Sequence, residues 1–325
     1  MNHPRRRATL TCLAAGLLTA ALPAVSAAAY PDKPFRLVVP FPPGQGADIL
    51  ARLIGQHLAA ALGQPIVVEN KVGAGGIIGT AFAAKAAPDG YTLYMGSSGP
   101  LAIGPHVYKA VGFDTLKDFA PISNIASVTQ VLVTAPASQL ASAKDVVERA
   151  RAQPGMVPFG SAGSGTTSHL TMELFTQMSG ISLSHVPYKG SSTSMIDVMA
   201  GRVPLMFDSL PGVLTNVKSG SLRAIAVASA QRDPLLPNVP TVAESGVPGF
   251  ATSGWIGLLA PARTPPQIVD QLHTAVAKAL KSEAVKKRMS ELAFTPIGNS
   301  PAEFQTFLSK EVALWGGVAA KAGVQ

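Results

Sequence analysis

Val38-Val39-Pro40-Phe41-Pro42-Pro43-Gly44-Gln45-Gly46-Ala47-Asp48-Ile49-Leu50-Ala51-Arg52 decides how the chain is read. An apolar strand ends in a stiff proline turn, passes two glycines and runs into a helix. Gly44 and Gly46 carry no Cβ, so a ligand can approach the backbone closely. The helix begins with N–H groups that have no intrahelical acceptor and with the positive end of its dipole. The combination suits an anion, most simply a carboxylate or a phosphate. A tight strand-to-helix connection with no ligand has the same pattern, so this stretch alone leaves both readings open.

Outward from it, strands and helices alternate. Phe35–Val39, Ile66–Val68 and Tyr91–Met95 are short apolar runs bounded by Pro, Gly or Asn, and they predict strands. Ala47–Leu62 places Leu50, Leu53, Ile54, Leu58, Ala61 and Leu62 at helical spacing. Gly76–Ala86 predicts a second helix, stopped by Pro88-Asp89-Gly90. This is a βαβαβ unit and predicts a mostly parallel sheet. The pattern restarts after Thr129, with strands at Val131–Thr134, Val157–Gly160, Leu183–Pro187, Leu205–Asp208 and Leu222–Ala228. Helices are expected at Ala143–Ala152, Thr167–Met178, Ser192–Ala200 and Gly212–Lys218, the first capped by Ser142 with Asp145 three residues on.

A last strand, Trp255–Leu259, precedes two or three helices. Thr264-Pro265-Pro266-Gln267 and Ser300-Pro301-Ala302-Glu303 both read as helix starts, with a hydroxyl cap and an early proline. No tandem repeat or low-complexity linker separates the two α/β units. The expectation is an α/β protein of two lobes joined by crossing strands, with mixed, mostly parallel sheets. The boundaries fall at 30–127 plus 253–325 for one lobe and 128–252 for the other. A crevice between such lobes is where small ligands bind.

Four turns rich in glycine and hydroxyls follow predicted strands, at the carboxyl ends where open α/β sheets bind ligands. The first supplies Phe41, Pro43, Gly44, Gln45, Gly46 and Asp48. The second, Gly96–Leu101, supplies Ser97 and Ser98. The third, Gly160–His169, supplies Ser161, Gly163, Ser164, Thr166, Thr167, Ser168 and His169. The fourth follows Pro187 and supplies Tyr188 and Lys189. Helix capping by Ser and Thr accounts for some of this pattern without any ligand. Asp48 and Asp208 are the carboxylates nearest the predicted crevice. Asp48 is placed to cap a helix; both can also hold water or an ammonium group, contact the opposite lobe, or form an acid–base pair.

Arg5-Arg6-Arg7, the apolar run Leu10–Val25 and the small residues Ala24–Ala29 form the three parts of an export signal, with cleavage after Ala27, Ala28 or Ala29. The apolar run is short for a membrane span. The precursor carries a formal charge of +8, and loss of the three signal arginines leaves +5, since no acid precedes Asp32. The only cysteine, Cys12, leaves with the signal. The mature chain therefore has no disulfide, thiolate metal site or cysteine nucleophile. Its densest basic run, Lys281–Arg288, has the pattern of a solvated helix face, and no nucleic-acid partner is expected.

Enzyme signatures are missing. Gly44-x-Gly46-x-x-Ile49 and Gly73-x-Gly75-x-x-Ile78 lack the third glycine of a dinucleotide fingerprint, and no Gly-x-x-x-x-Gly-Lys loop occurs. Gly160-Ser161-Ala162-Gly163 sets its first glycine one position late for a serine elbow. His57, His106, His169, His185 and His273 show no metal-ligand spacing. No cofactor or metal is expected. An exported serine hydrolase built on Ser161, Ser164 and His169 stays open as an alternative, as does a ligand sensor that reports to a signalling partner.

Pro40-Phe41-Pro42-Pro43-Gly44 with Asp48 and Ala51-Arg52 resembles the opening motif of the periplasmic receptors of tripartite tricarboxylate transporters, the Bug receptors. Matching motifs follow in the same order: Glu69-Asn70 with Gly73-Ala74-Gly75-Gly76, Pro88-Asp89-Gly90-Tyr91-Thr92-Leu93, Gly160-Ser161 with Ser168-His169-Leu170 and Glu173-Leu174-Phe175, Val186-Pro187-Tyr188-Lys189-Gly190, and Gly254-Trp255 with Leu259-Ala260-Pro261. The resemblance spans essentially the whole mature chain. It implies a two-lobed, type II periplasmic-binding-protein fold of the Venus-flytrap kind. It also implies a monomeric, non-enzymatic receptor that captures a small organic carboxylate in the periplasm and delivers it to the membrane transporter subunits. The ligand carboxylate would be gripped by backbone amides and waters from the Pro42–Asp48 and Ser161–His169 turns. Gln45 departs from the family, which often has a second consecutive glycine after Gly44.

The export signal predicts that chain recovered from the periplasm has lost Arg5–Arg7. Intact mass spectrometry checks this, and a periplasmic species that retains those arginines contradicts it.

Overall fold

The computed structural model describes residues 30–324; the expected leader lies outside them. Two mixed sheets organise the chain. The first has strand order β11-β4-β10-β3-β1-β2 and the second β7-β6-β8-β5-β9. In chain order the first half holds β1 (Phe35–Val39), α1 (Gly46–Leu62), β2 (Ile66–Asn70), α2 (Ile77–Ala84), β3 (Thr92–Ser97), α3 (Gly104–Val107) and β4 (Phe119–Val128). The middle holds β5 (Gln130–Thr134), α4 (Ala143–Ala152), β6 (Pro158–Ser161), α5 (Thr167–Ser179), β7 (Ser184–Pro187), α6 (Ser191–Met199), β8 (Leu205–Ser209), α7 (Leu210–Lys218) and β9 (Arg223–Val227). The chain then returns through β10 (Gly254–Pro261), α8 (Pro266–Lys281), α9 (Glu283–Glu291), β11 (Thr295–Pro296) and α10 (Pro301–Ala322).

The parallel pairs are β1–β2, β1–β3, β6–β7 and β6–β8. Every antiparallel pair involves β4, β5 or β10. Parallel pairing, which the alternation predicts to dominate, is thus confined to the βα repeats. The strands next to the crossings run the other way. One of them, β4, lies in a region without a strand signal. It is buried along nearly its whole length, so it shows no alternation of polar and apolar residues. Its buried Ser123 and Asn124 also interrupt the apolar run; the Ser123 hydroxyl donates to Asn299 O (2.8 Å) and the Asn124 N–H to Asn299 Oδ1 (2.9 Å).

Helix signals are read well where the caps are chemical. Ser142 accepts from the Asp145 N–H at 3.2 Å, and Ser300 with Glu303 forms a reciprocal capping box. Thr264 is an exception. Pro265 occupies the cap of α8, and the Thr264 hydroxyl turns back to Pro261 O instead. A helix start that already opens with two prolines has fewer N–H groups to satisfy. The helix α1 buries Leu50, Ile54 and Leu58 completely, one face at spacing four that lies on β1, β2 and β3.

The chain crosses between sheets at Thr129 and again between Ala228 and Gly254. These passages are knitted together. Leu210 N–H donates to Thr129 O (2.8 Å), Ala228 N–H to Gln130 O (2.8 Å), and Thr252 N–H to Ala228 O (2.9 Å). The Thr129 hydroxyl donates to buried Asp233 at 2.8 Å. Helix α10 ties the return strand down. The indole N–H groups of Trp255 and Trp315 both donate to Glu311 Oε2, at 2.8 and 3.0 Å. Burial raises the Glu311 carboxyl above its ordinary range, against the lowering effect of the two indoles. The same helix receives Gln177 Nε2 from α5 on its Val318 carbonyl at 2.9 Å, and so touches both halves.

Glu311→Ala leaves two fully buried indole donors without an acceptor. We expect a stability loss of about 1–3 kcal/mol for each donor, read by urea unfolding, with a smaller loss for Glu311→Gln. Equal stability of Glu311→Ala and the parent would show that the indoles do not depend on this carboxylate.

Candidate functional site

The opening turn is held by one carboxylate. Asp48 is 2 % exposed. It accepts the Gly44 N–H at 2.9 Å, Arg52 Nε at 3.0 Å and Nη2 at 2.9 Å, and Asn70 Nδ2 at 2.9 Å. Asn70 also donates to Phe41 O at 2.8 Å. Burial works to raise the Asp48 carboxyl, but Arg52, Gly44 and Asn70 together hold it below its ordinary value. Gln45, not Asp48, occupies the cap of α1, and its side chain makes no capping bond. Asp48 instead reaches back from the third helical position to fix the turn. Gly44 has φ +83° with open space where a side chain would sit, while Gly46 has helical φ and only Phe294 within contact, 3.7 Å from a built Cβ. Pro42, Pro43, Gly44 and Gln45 are exposed. The N–H groups of Gly46, Ala47 and Asp48 have no acceptor among the described residues.

The third turn repeats the arrangement with different chemistry. Ser168 Oγ accepts the Ala162 N–H (3.0 Å) and lies 3.1 Å from Thr166 Oγ1, which donates to Gly163 O (2.7 Å). Ser161 Oγ accepts the Gly163 N–H (3.1 Å) and lies 2.6 Å from His185 Nε2. His169 Nδ1 accepts the Gly165 N–H at 3.2 Å, so its proton is on Nε2, which faces Glu173 at 3.5 Å. The two imidazoles stack at 3.7 Å, with Phe159 beyond His185 at 4.9 Å. Burial first, and the neighbouring His169 second, push the His185 imidazole down to about 3. Helix α5 then starts with no side-chain cap, and the N–H groups of Thr167, Ser168 and His169 have no acceptor among the described residues.

The second turn neighbours both of these bare helix starts. β1 and β3 are parallel neighbours, so their carboxyl ends lie at the same edge. Just beyond β3, Ser98 Oγ meets Thr167 Oγ1 at 3.0 Å. Ser97 and Ser98 are buried there. Tyr188 N–H donates to Ser161 O at 3.2 Å, which brings the fourth turn under the third; its phenol turns away to Asp197 at 2.6 Å. Lys189 is exposed and has no partner among the described residues.

Asp208, near the end of β8, lies at the same edge of the second sheet as the third turn, because β6 and β8 are parallel neighbours, and it is held between Ser191, just after the fourth turn, and Ser209. It is 6 % exposed and faces no cation, and burial pushes its carboxyl up to about 7, against the Ser209 hydrogen bonds. Asp48 and Asp208 share no contact, so they form no acid–base pair. The hydrolase constellation is not assembled either: Ser161 partners His185 rather than His169, Ser164 is exposed, and a neutral His185 is a weak base.

The sequence reading missed Asn70 and His185 as site-building residues. Arg52 carried a signal, because Asp48 and Arg52 are four apart on one helix. His185 carried none, since its role comes from parallel pairing that sets Phe159 opposite it.

Two α/β lobes, crossed twice by the chain and opening glycine turns onto uncapped helix starts, define a periplasmic binding protein of the Venus-flytrap fold. The chain belongs to the tripartite tricarboxylate transporter family receptors, whose sequence profile matches residues 50–324. It is 39 % identical over 302 residues to Protein BugT of Bordetella pertussis, with 93 % of each chain covered. Its structure is similar to that of R. palustris Rpa4515 with adipate, at TM-score 0.84 and 38 % identity, covering 90 % of this chain and 98 % of the other. It is also similar to MatC (Rpa3494) from Rhodopseudomonas palustris with bound malate, at TM-score 0.80 and 30 % identity, covering 89 % and 99 %. The family is one of binding receptors and not of enzymes.

A raised carboxyl makes folding pH-dependent with a definite sign. Unfolded Asp208 releases its proton near pH 4, while the folded form keeps it to about 7. The stability contributed at low pH is therefore lost as pH rises from about 4 to 7 and is flat above. Asp208→Asn should remove that slope in urea unfolding between pH 5 and 8. An unchanged pH profile in the variant would contradict the assignment.

Proposed function

We propose that this chain is an exported periplasmic receptor that captures a small organic carboxylate between its lobes and hands it to a tripartite tricarboxylate-type membrane transporter. One observation carries the reading. Two helices, α1 and α5, start with six N–H groups that have no acceptor among the described residues, and the end of β3, beside β1 and in contact with Thr167 through Ser98, links them. Donors of that kind fit a carboxylate, which accepts several hydrogen bonds and is favoured by both helix dipoles. The hydroxyls of Ser98, Thr166 and Thr167 complete the lining, and Gly44 and Gly46 leave the backbone of the first turn without side chains. The adipate and malate complexes of the two relatives support a dicarboxylate as the ligand class.

The moving parts are residues 30–127 with 253–325 against residues 128–252, hinged at the crossings. Ligand exchange by hinge closure needs no chemistry, so the ligand leaves unchanged and the protein works as a monomer. A transporter partner is favoured over a signalling partner by family membership.

Thermal-shift titration with adipate, malate, aromatic acids and acidic amino acids tests the reading. A ligand at a hundredfold excess over its Kd should stabilise the fold by about 2.7 kcal/mol. Gly46→Val places methyls over the α1 amides at a position with ordinary φ, where a Cβ meets only Phe294 at ordinary contact distance, 3.7 Å. It should fold normally and weaken carboxylate binding at least about tenfold, a loss near 1.4 kcal/mol. A folded Gly46→Val that binds as tightly as the parent moves the ligand off this turn.

A further inference from the structure

Tyr108, just after α3, belongs to none of the glycine turns, yet it spans them. Its hydroxyl donates to Ser164 O at 3.2 Å, reaching from the first sheet's side to the third turn. Both flanks of the ring are cut to fit. A Cβ at Gly75 would stand 2.8 Å from the Tyr108 hydroxyl. One at Gly165 would stand 3.2 Å from the ring and 3.1 Å from Val107. Burial raises the phenol above its ordinary range.

We propose that Tyr108 is a latch between the lobes, closing on the Ser164 carbonyl beside the Ser98–Thr167 contact and holding the third turn shut over the cleft. Ser164 and Gly165 lie between Gly163 and the α5 amides, so the latch clamps the segment that presents Thr167–His169. When the lobes part, the Tyr108 bond and the Ser98–Thr167 contact both break, because each joins groups built on different sheets. The latch thereby slows release of whatever the cleft holds. Its part in ligand retention rests on the receptor reading; the closing contact itself does not.

Disulfide trapping measures the latch without any ligand. The mature chain has no cysteine, so Ser98→Cys with Thr167→Cys, whose oxygens stand 3.0 Å apart, supplies a single thiol pair across the cleft. Diamide is the oxidant, and mass spectrometry or gel mobility reports the cross-link. Tyr108→Phe keeps the ring and removes the hydroxyl. In the ligand-free protein it should slow cross-linking by about two- to tenfold, the factor for one neutral hydrogen bond. A melting curve confirms that the variant folds, and Tyr108→Leu, should Tyr108→Phe unfold, must slow the reaction at least as much. Equal rates with and without the hydroxyl overturn the latch, as does a pair that never cross-links in the parent. Adipate and malate titrations run alongside on the parent and on Tyr108→Phe without the cysteine pair, so that Ser98 and Thr167 are intact. If these bind no carboxylate while the cysteine pair cross-links at the latched rate, the receptor reading is overturned and the latch is upheld.

Discussion

A single buried carboxylate organises the entrance to the cleft. Asp48 lies where β1 has just ended and α1 has just begun, and its four donors come from the turn, the helix and the end of β2. Because the Gly44 N–H is engaged by Asp48, it is withdrawn from ligand, and the amides left over are those of the helix start. The negative charge does not repel an incoming anion strongly, because Arg52 covers it on the helix side through two bonds. Replacing this network by capping alone would leave the proline turn free to swing, and the amides of α1 would lose their fixed direction.

The third turn solves the same problem without charge. Its framework is made of hydroxyls and two stacked imidazoles, each accepting or sharing a bond with a loop atom. Burial first, and the neighbouring ring second, hold the His185 imidazole well below its ordinary range. The Ser161–His185 contact therefore needs no charged imidazole. Asp208 behaves oppositely: burial raises its carboxyl to about 7, so a group held by Ser191, just after the fourth turn, changes its charge near neutrality.

Much of the fold was legible because its elements are local. The α1 stripe, the Ser300–Glu303 capping box and the glycine that ends each turn depend on residues a few positions apart. What escaped were features made by distant residues. β4 is covered on both faces and gains its partners from β10 and β11, more than a hundred residues on, so no period marks it. The four turns of the candidate site were visible as glycine- and hydroxyl-rich segments after strands. Their internal wiring was not, because Ser161 finds His185 and Asp48 finds Asn70 only once parallel strands align. Tyr108 had no signal at all: what singles it out is the absence of side chains at Gly75 and Gly165, and those glycines meet it only in the folded chain.

The strand order of the first sheet has a consequence for how the chain is made. β10 is an inner strand, hydrogen-bonded to β3 on one side and β4 on the other, but it is encoded after the whole of the second sheet. As the polypeptide emerges N-terminus first, β1, β2 and β3 can pair early, while β3 and β4 face an empty slot until Gly254–Pro261 arrives. The second sheet is continuous in sequence from β5 to β9 and suffers no such delay. The order of completion is thus the reverse of the order of synthesis: the middle of the chain closes first, and the beginning waits for the end. During that wait the open flanks of β3 and β4 are unpaired strand edges, the kind of surface that chaperones bind and that aggregates grow from.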